Sequence, residues 1–157
     1  GINVSKNYEN KLLSLGISLP DAPAPAANYV PYVVVGDMVY ISGQISGDAN
    51  GRINGKLGKN FSVEEGQLAA KTCGINLIAQ LKSACGGDLD RLVQVVKLGG
   101  FVNCTSDFED HPKVINGASD LMVEVFGEAG KHARAAVGSS SLPLGVAVEV
   151  EGIFQIK

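Results

Sequence analysis

The last quarter of the chain contains two strand-like stretches, His132-Ala133-Arg134-Ala135-Ala136-Val137 and Gly145-Val146-Ala147-Val148-Glu149-Val150-Glu151. A loop rich in serine and proline separates them. Alternation along a strand places Arg134 on the same face as His132 and Ala136, and Glu149 on the same face as Glu151. An arginine among small residues predicts either a cross-strand salt bridge or a receptor for an anion, and a planar guanidinium suits a carboxylate. Both interpretations are open at this point.

Length and composition limit the class of protein. The chain has 157 residues, of which 45% are hydrophobic and 18% charged, and its formal net charge is −3. These values are typical of one globular domain over residues 1–157, in which residues 1–27 form an N-terminal helix and a proline-rich crossing segment. No apolar run approaches the roughly 18 residues of a membrane helix, and no basic run is present. We therefore expect neither a membrane nor a nucleic acid as a partner.

The cysteines and histidines do not predict a metal centre or a disulfide framework. Cys73, Cys85 and Cys104 are odd in number and lack C-x-x-C spacing, and His111 and His132 are not spaced as a metal pair. No signal-peptide core precedes residue 18. A reducing, cytoplasmic compartment fits best, and we expect no metal and no cofactor.

The first half of the chain predicts a helix, a hairpin and a glycine-rich excursion. Residues 7–15 have helical spacing, and prolines exclude helix from residues 20–26. Two β-branched stretches flank Gly36-Asp37, which predicts a hairpin, and Gly43 invites a bulge in its second strand. Residues 47–58 are polar, with a short edge strand expected around residues 52–56.

The second half predicts two longer helices around a long strand. Ser62 and Glu65 form a capping-box pattern, and Gly86-Gly87 ends the helix that follows. The spacing places Leu68, with Ile75, Ile78, Leu81 and Cys85, on its buried stripe. Residues 92–103 predict a strand bent at Gly99-Gly100, and Pro112 suits the first turn of the next helix, after Asp110 as a cap.

The resulting order, α-β-β-α-β-α-β-β, predicts an α+β fold. We expect a two-layer sandwich in which a mixed β-sheet carries two main helices on one face. Because its strands are rich in valine, both faces are expected to be buried, and the face without helices would then be covered by oligomerisation.

Several motifs, taken together and in order, resemble one known family. Ser42-Gly43-Gln44 follows a strand, Ala133-Arg134 lies later in the chain, and Leu142-Pro143 precedes Glu149-Val150-Glu151. Over roughly residues 28–157 the chain resembles the Rid (YjgF-like) family, also known as L-PSP endoribonuclease. Its N-terminal helix and longer excursions resemble a longer branch of that family.

The resemblance implies a fold, an assembly and a site. Family members have the chorismate-mutase-like YjgF fold and form homotrimers around a central β-barrel, with ligand sites between subunits. It implies that Arg134 binds a substrate carboxylate and that Glu149 places the attacking water. Three further positions would contact substrate, namely Tyr29, Gly43 and Asn116, and the backbone of Ala136 would do so as well.

The resemblance also implies an activity, with two alternatives. The leading hypothesis is the hydrolysis of small 2-imino or enamine acids to 2-oxo acids and ammonia, without a cofactor. Active members commonly carry Cys or Ser where this chain has Ala136. That departure favours a trimeric module that binds a small carboxylate without converting it. An endoribonuclease is the third hypothesis, and the acidic net charge counts against it.

Overall fold

The computed structural model describes residues 7–22 and 28–157, and the predicted mixed α+β class is confirmed there. The helices and strands are α1 (Tyr8–Ser14), β1 (Tyr32–Val35), β2 (Met38–Ile45), β3 (Gly47–Asp48), β4 (Gly51–Arg52), α2 (Val63–Ala84), β5 (Leu92–Asn103), α3 (His111–Phe126), β6 (Ala133–Ser139) and β7 (Val148–Ile156). Short 3₁₀ turns occupy Leu89–Arg91, Gly127–Gly130 and Pro143–Gly145. The proline-rich crossing segment falls partly on residues 23–27, which are outside the described residues.

The main sheet has the strand order β1-β2-β7-β5-β6. Its strands pair antiparallel except for β5 and β6, which run parallel because α3 connects them as a crossover. The helices α2 and α3 pack on one face. A side chain at Gly100 of β5 would meet Ile115 of α3, and Cys73 of α2 lies 3.5 Å from the carbonyl oxygen of Val148 in β7.

The local signals of the sequence are largely confirmed. The amide of Glu65 donates to the Ser62 hydroxyl and the amide of Ser62 to the Glu65 carboxylate, each at 3.1 Å. The register of β2 against β7 shifts between Ile41 and Gln44, as expected for a bulge at Gly43. Asp110 stands at the cap position of α3, but its side chain makes no capping hydrogen bond.

The irregularities of β5 lie at other residues than predicted. The register of β5 against β7 shifts before Gln94 and before Lys97, so the ladder runs without irregularity through Gly99-Gly100. The excursion forms the short β3–β4 ladder, which overlaps the expected short edge strand only at Arg52, and Asn54 and Leu57 make isolated bridges. The cysteines agree with the prediction that they form no disulfide framework, since all three are free and buried.

The predicted buried stripe of α2 is confirmed at Ile78, Leu81 and Cys85 and is wrong at Leu68. Leu68 is 65% exposed, whereas the stripe that faces the core includes Ala70, Cys73, Leu77 and Leu81. Small residues such as Ala70 and Cys73 are buried beside the large ones, which lets the helix approach the sheet and α3 closely and leaves Leu68 on the outer side. Packing volume, rather than hydrophobicity alone, therefore sets its rotation.

The contact between α2 and α3 depends on two glycines. A Cβ at Gly117 of α3 would collide with the backbone carbonyl oxygen of Gln67 in α2. A Cβ at Gly74 of α2 would lie 2.9 Å from the Leu121 side chain in α3. The close crossing fixes where α3 presents its polar side chains along the edge of the sheet.

The opposite face of the sheet is open in the single chain. On β5 and β7, Phe101 lies beside Glu149 and Gly99 beside Glu151, all on this face. Val35 is 61% exposed and Tyr40 is 46% exposed. The uncovered face therefore presents both apolar side chains and carboxylates.

Candidate functional site

Arg134 lies on the edge strand β6, on the face that carries the helices. It is the register partner of Leu98, which is fully buried beneath those helices. Its Nη1 donates to Asn116 Oδ1 at 2.8 Å and to Ser119 Oγ at 3.2 Å. Asn116 and Ser119 are three residues apart on α3 and therefore project from one side of that helix. The helix thus supports one nitrogen of the guanidinium.

The rest of the guanidinium is available to a ligand. Arg134 is exposed, and its Nε and Nη2 have no hydrogen-bond partner among residues 7–22 and 28–157. No carboxylate in these ranges forms a salt bridge with Arg134. The cross-strand salt bridge is therefore absent there. Nε and Nη2 form the planar two-donor edge that binds a carboxylate in bidentate fashion.

His132 lies two residues before Arg134 and contacts the same serine. Its Nε2 is 2.9 Å from Ser119 Oγ, and its Nδ1 is 2.7 Å from the Gly130 carbonyl oxygen. From its spacing, His132 was not expected to be a metal ligand, and Ser119 was not among the predicted site residues. The signal that was missed is the i, i+3 spacing of Asn116 and Ser119, which places two uncharged polar side chains on one side of α3.

Glu149 lies on the opposite, open face of the sheet. It is half-buried, and a Cβ at Gly43 would collide with its carboxylate. Burial raises the pKa of the Glu149 carboxyl above the ordinary value of 4.5, and the charge of Glu151 raises the pKa further. The lack of a side chain at Gly43 is therefore what leaves room for this carboxylate.

Tyr29 belongs to a segment that is attached to the Gly43 region. The Ser42 hydroxyl donates to the Val30 carbonyl oxygen at 2.8 Å, and the Ser42 amide donates to the Pro31 carbonyl oxygen at 2.9 Å. Tyr29 itself is 51% exposed. These bonds bring the segment of Tyr29 to the part of β2 that borders Glu149.

Ala136 lies on the same face of the sheet as Arg134, opposite to the face that carries Glu149. It is the register partner of Gly100, and its side chain packs against the core on the helix face. Because β6 is an edge strand, the backbone groups along its outer side are not used by the sheet.

The predicted site residues therefore form two groups on opposite faces of one sheet. Arg134, Asn116 and Ala136 lie together on the helix face, at the edge. Gly43 and Glu149 lie together on the open face, with the segment of Tyr29 nearby. A single chain does not bring the guanidinium and the Glu149 carboxylate to one ligand.

Metal clusters and membrane-spanning helices are both absent from the described part of the chain. No group of three or more His, Cys, Asp or Glu side chains there is arranged to hold a metal ion. None of its helices is both long enough and apolar enough to span a membrane.

The fold and these contacts define a class of protein. It is a two-layer α+β protein with one uncovered sheet face and, at the edge of the sheet, an arginine that a helix supports and that is open to a small anion. The model of the family described as "YjgF/chorismate mutase-like, putative endoribonuclease" matches residues 9–153. The chain belongs to this YjgF (Rid, L-PSP) family.

Individual relatives agree with this membership. Protein TCP17 of Trypanosoma cruzi is 48% identical over 147 residues, which cover 92% of this chain and 91% of TCP17. A crystal structure of a protein of unknown function from Agrobacterium tumefaciens is 42% identical and has a TM-score of 0.90, covering 98% of this chain and 94% of that one. The 2-iminobutanoate/2-iminopropanoate deaminase of Dermatophagoides farinae is 32% identical over 141 residues, covering 90% of this chain and 95% of the deaminase.

Proposed function

We propose that this protein hydrolyses small reactive 2-imino and enamine acids to 2-oxo acids and ammonia. The observation that carries the proposal is the state of Arg134, which α3 holds through Nη1 while Nε and Nη2 stay open to solvent. The carboxylate common to 2-imino acids matches that two-donor edge. The relatives named 2-iminobutanoate/2-iminopropanoate deaminase support the same substrate class.

We further propose that the complete site lies between two subunits of a homotrimer. Arg134 and Glu149 lie on opposite faces of the sheet, so one chain cannot offer both to a ligand. The exposed apolar residues of the open face, such as Val35 and Tyr40, support its burial against other copies. Packing three such faces around a central barrel would place Glu149 of one subunit opposite the edge strand of the next.

The reaction needs only water, a base and electrostatic stabilisation. Glu149 takes a proton from water while the water oxygen attacks the imine carbon, the C=N π electrons move to nitrogen, and Glu149 returns that proton to the nitrogen to give a carbinolamine. Glu149 then carries the hydroxyl proton of the carbinolamine to the nitrogen, the C–N bond breaks as the new C=O bond forms, and the nitrogen leaves as ammonia. An enamine first becomes the imine by protonation on carbon. Backbone groups at Gly43 and Ala136 would polarise the imine.

Ammonia release tests the proposal directly. An amino-acid oxidase generates 2-iminobutanoate in the cuvette, and ammonia is followed with and without the purified protein. We expect release to be faster than in buffer in proportion to protein concentration. A rate equal to that in buffer and in a heat-denatured sample would contradict the proposal for these substrates.

Ala136 favours one alternative, a module that binds a small carboxylate without converting it. Methyl replaces the thiol or hydroxyl that active relatives commonly place two residues after the arginine. Calorimetry with 2-oxobutanoate separates the two functions. Saturable binding together with no acceleration of ammonia release would establish the module and exclude the deaminase.

Mixing two inactive variants is expected to restore activity if the site is shared between subunits. Arg134→Ala and Glu149→Gln each remove one half of the site. In trimers reassembled from equal amounts, about one quarter of the interfaces combine an intact Arg134 with an intact Glu149 of the neighbouring subunit. Ammonia release by the mixture should therefore reach about a quarter of the wild-type rate. If both groups came from the same chain, the mixture would stay inactive.

The pH dependence of activity and stability is expected to reflect the raised pKa of Glu149. Activity requires the ionised carboxylate and should fall as pH drops through a pKa above the ordinary 4.5. For stability the sign is opposite. The folded chain holds this proton more tightly than the unfolded chain, so the contribution of Glu149 to stability is fully present below pH 4.5 and is lost as pH rises through the folded pKa.

Glu149→Gln removes this ionisation. We expect a loss of activity of about 10²-fold or more, a higher Tm at neutral pH, and a smaller change of Tm between pH 4.5 and 7. Glu151→Gln is the matched control, because it removes the neighbouring charge but leaves the base. An unchanged Tm profile in Glu149→Gln would contradict the assigned cause.

A further inference from the structure

A chain of hydrogen bonds links the Arg134 guanidinium to the backbone of the turn before β6. Arg134 Nη1 donates to Ser119 Oγ, which lies 2.9 Å from His132 Nε2. His132 Nδ1 lies 2.7 Å from the Gly130 carbonyl oxygen. The hydrogen-bonded groups come from α3, from the end of the 3₁₀ turn and from β6, so this network connects three consecutive elements.

The chemistry of these groups sets the direction of each bond. A carbonyl oxygen can only accept, so Nδ1 of His132 carries the proton that it donates to Gly130. In the neutral ring Nε2 is then the acceptor, and the Ser119 hydroxyl donates to it. The Ser119 oxygen is left with its lone pairs directed to the guanidinium, which donates to it. Every donor in this hydrogen-bond network therefore meets an acceptor.

The last acceptor of the hydrogen-bond network, the Gly130 carbonyl oxygen, is held rigidly because Gly130 is packed against α3. Gly130 is buried, and a Cβ there would collide with the backbone of Met122. The carbonyl that orients His132 therefore cannot move without moving the helix. His132 itself is half-buried, while Arg134 is exposed. The network leads from a fixed interior point to a solvent-facing cation.

We infer that Ser119 and His132 are positioning residues, which hold the Arg134 guanidinium in the orientation that receives a carboxylate. The inference rests on the carboxylate-binding role proposed above and adds two residues to it. An exposed arginine otherwise samples many rotamers, and a ligand must overcome that freedom when it binds. Two acceptors on one nitrogen, Asn116 Oδ1 and Ser119 Oγ, leave the Nε and Nη2 edge facing outward.

The surroundings leave the network accessible without supplying a competing anion. Beside it lies a shallow depression of about 290 Å³, lined in part by Asn116, Ser119, His132 and Arg134. Lys131 borders the depression but is paired with Glu128 at 2.8 Å. Asp120 is the carboxylate among the lining residues, and it makes no salt bridge with Arg134. A ligand carboxylate can therefore bind Nε and Nη2 of Arg134 without displacing another anion.

The test compares variants at the two positions. Ser119→Ala removes the central oxygen, whereas Ser119→Thr keeps it. His132→Asn keeps a polar group near the Nδ1 position but loses the contact with Ser119, whereas His132→Gln can place its amide oxygen where Nε2 accepts. Immobilising one such side chain is worth about a three- to tenfold change in affinity. We expect the Kd for 2-oxobutanoate to rise by that factor in Ser119→Ala and His132→Asn.

Rescue and kinetics separate positioning from a general structural role. Ser119→Thr and His132→Gln should stay within about twofold of the wild-type Kd. In the ammonia assay KM should rise in Ser119→Ala with kcat nearly unchanged, because binding in the ground state and in the transition state weakens equally. A wild-type Kd in Ser119→Ala and His132→Asn would overturn the inference, as would equal weakening in all four variants.

A failure of the positioning role can be distinguished from a failure of the proposed reaction. If the wild type releases no ammonia but binds 2-oxobutanoate, and Ser119→Ala weakens that binding, the deaminase proposal fails while the positioning role stands. If ammonia release is rapid and unaffected in KM by all the variants, the reaction stands and the positioning role is wrong. A wild type that does not bind 2-oxobutanoate at all overturns the inference.

Discussion

Replacing Arg134 by alanine is expected to lower kcat/KM for ammonia release by on the order of 10²- to 10³-fold. The variant removes both donors of the Nε and Nη2 edge, and each hydrogen bond between charged groups contributes about 1.5–3 kcal/mol. The substrate would also lose the orientation of its imine carbon toward the attacking water. The measurement is the rate of ammonia release over a range of 2-iminobutanoate concentrations.

Two companion variants sharpen this test. Arg134→Lys keeps the charge but presents a single point donor, so we expect activity between those of the wild type and the alanine variant. Arg52→Ala removes an exposed arginine of β4 and should behave like the wild type. Activity of Arg134→Ala within threefold of the wild-type value would show that Arg134 does not bind the substrate.

Replacing Gly117 by alanine is expected to destabilise the protein by about 1–3 kcal/mol, which corresponds to several degrees in Tm. The new methyl group would occupy the position of the Gln67 backbone carbonyl in α2. Backbone cannot rotate away as a side chain can, so the two helices must separate. Chemical and thermal denaturation measure the loss.

Gly74→Ala is the matched control on the facing helix. Both substitutions gain about 1 kcal/mol of helix propensity, but the methyl group at position 74 meets the end of the Leu121 side chain at 2.9 Å, which can change its rotamer. We therefore expect Gly74→Ala to be nearly neutral. Equal stability of the two variants would show that the helix contact is looser than the collision at Gly117 implies.

A displaced α3 should also disturb the site, since Asn116 immediately precedes Gly117 and its side-chain oxygen accepts from Arg134. The stability of the helix pair and the orientation of the guanidinium are thus coupled through adjacent residues. This arrangement explains why a glycine stands in the middle of a helix, where by itself it is unfavourable.

Features that depend on neighbours in sequence were predicted well. The capping box joins Ser62 and Glu65, which are three residues apart, and the hairpin at Gly36-Asp37 closes within four residues. In each case the interacting groups are adjacent along the chain, so residue type and spacing determine the geometry.

The tertiary structure decided the features that join distant residues. Period-two alternation placed Arg134 with Ala136 and Glu149 with Glu151, but it could not relate one pair to the other. That relation depends on the register of β5 with both neighbours, in which Leu98 lies beside Arg134 and Phe101 lies beside Glu149. A shift of one residue in either ladder would have placed all four on one face.

The sequence by itself thus determined the fold class, the family and the residue types of the candidate site. Only the tertiary structure divided those residues between two faces, turned Leu68 of α2 outward, and joined Ser119 and His132 to Arg134. The physical reason is that strand register and helix rotation are set by packing across the whole core. That packing sums many small contacts between residues far apart in sequence, and no local pattern records it.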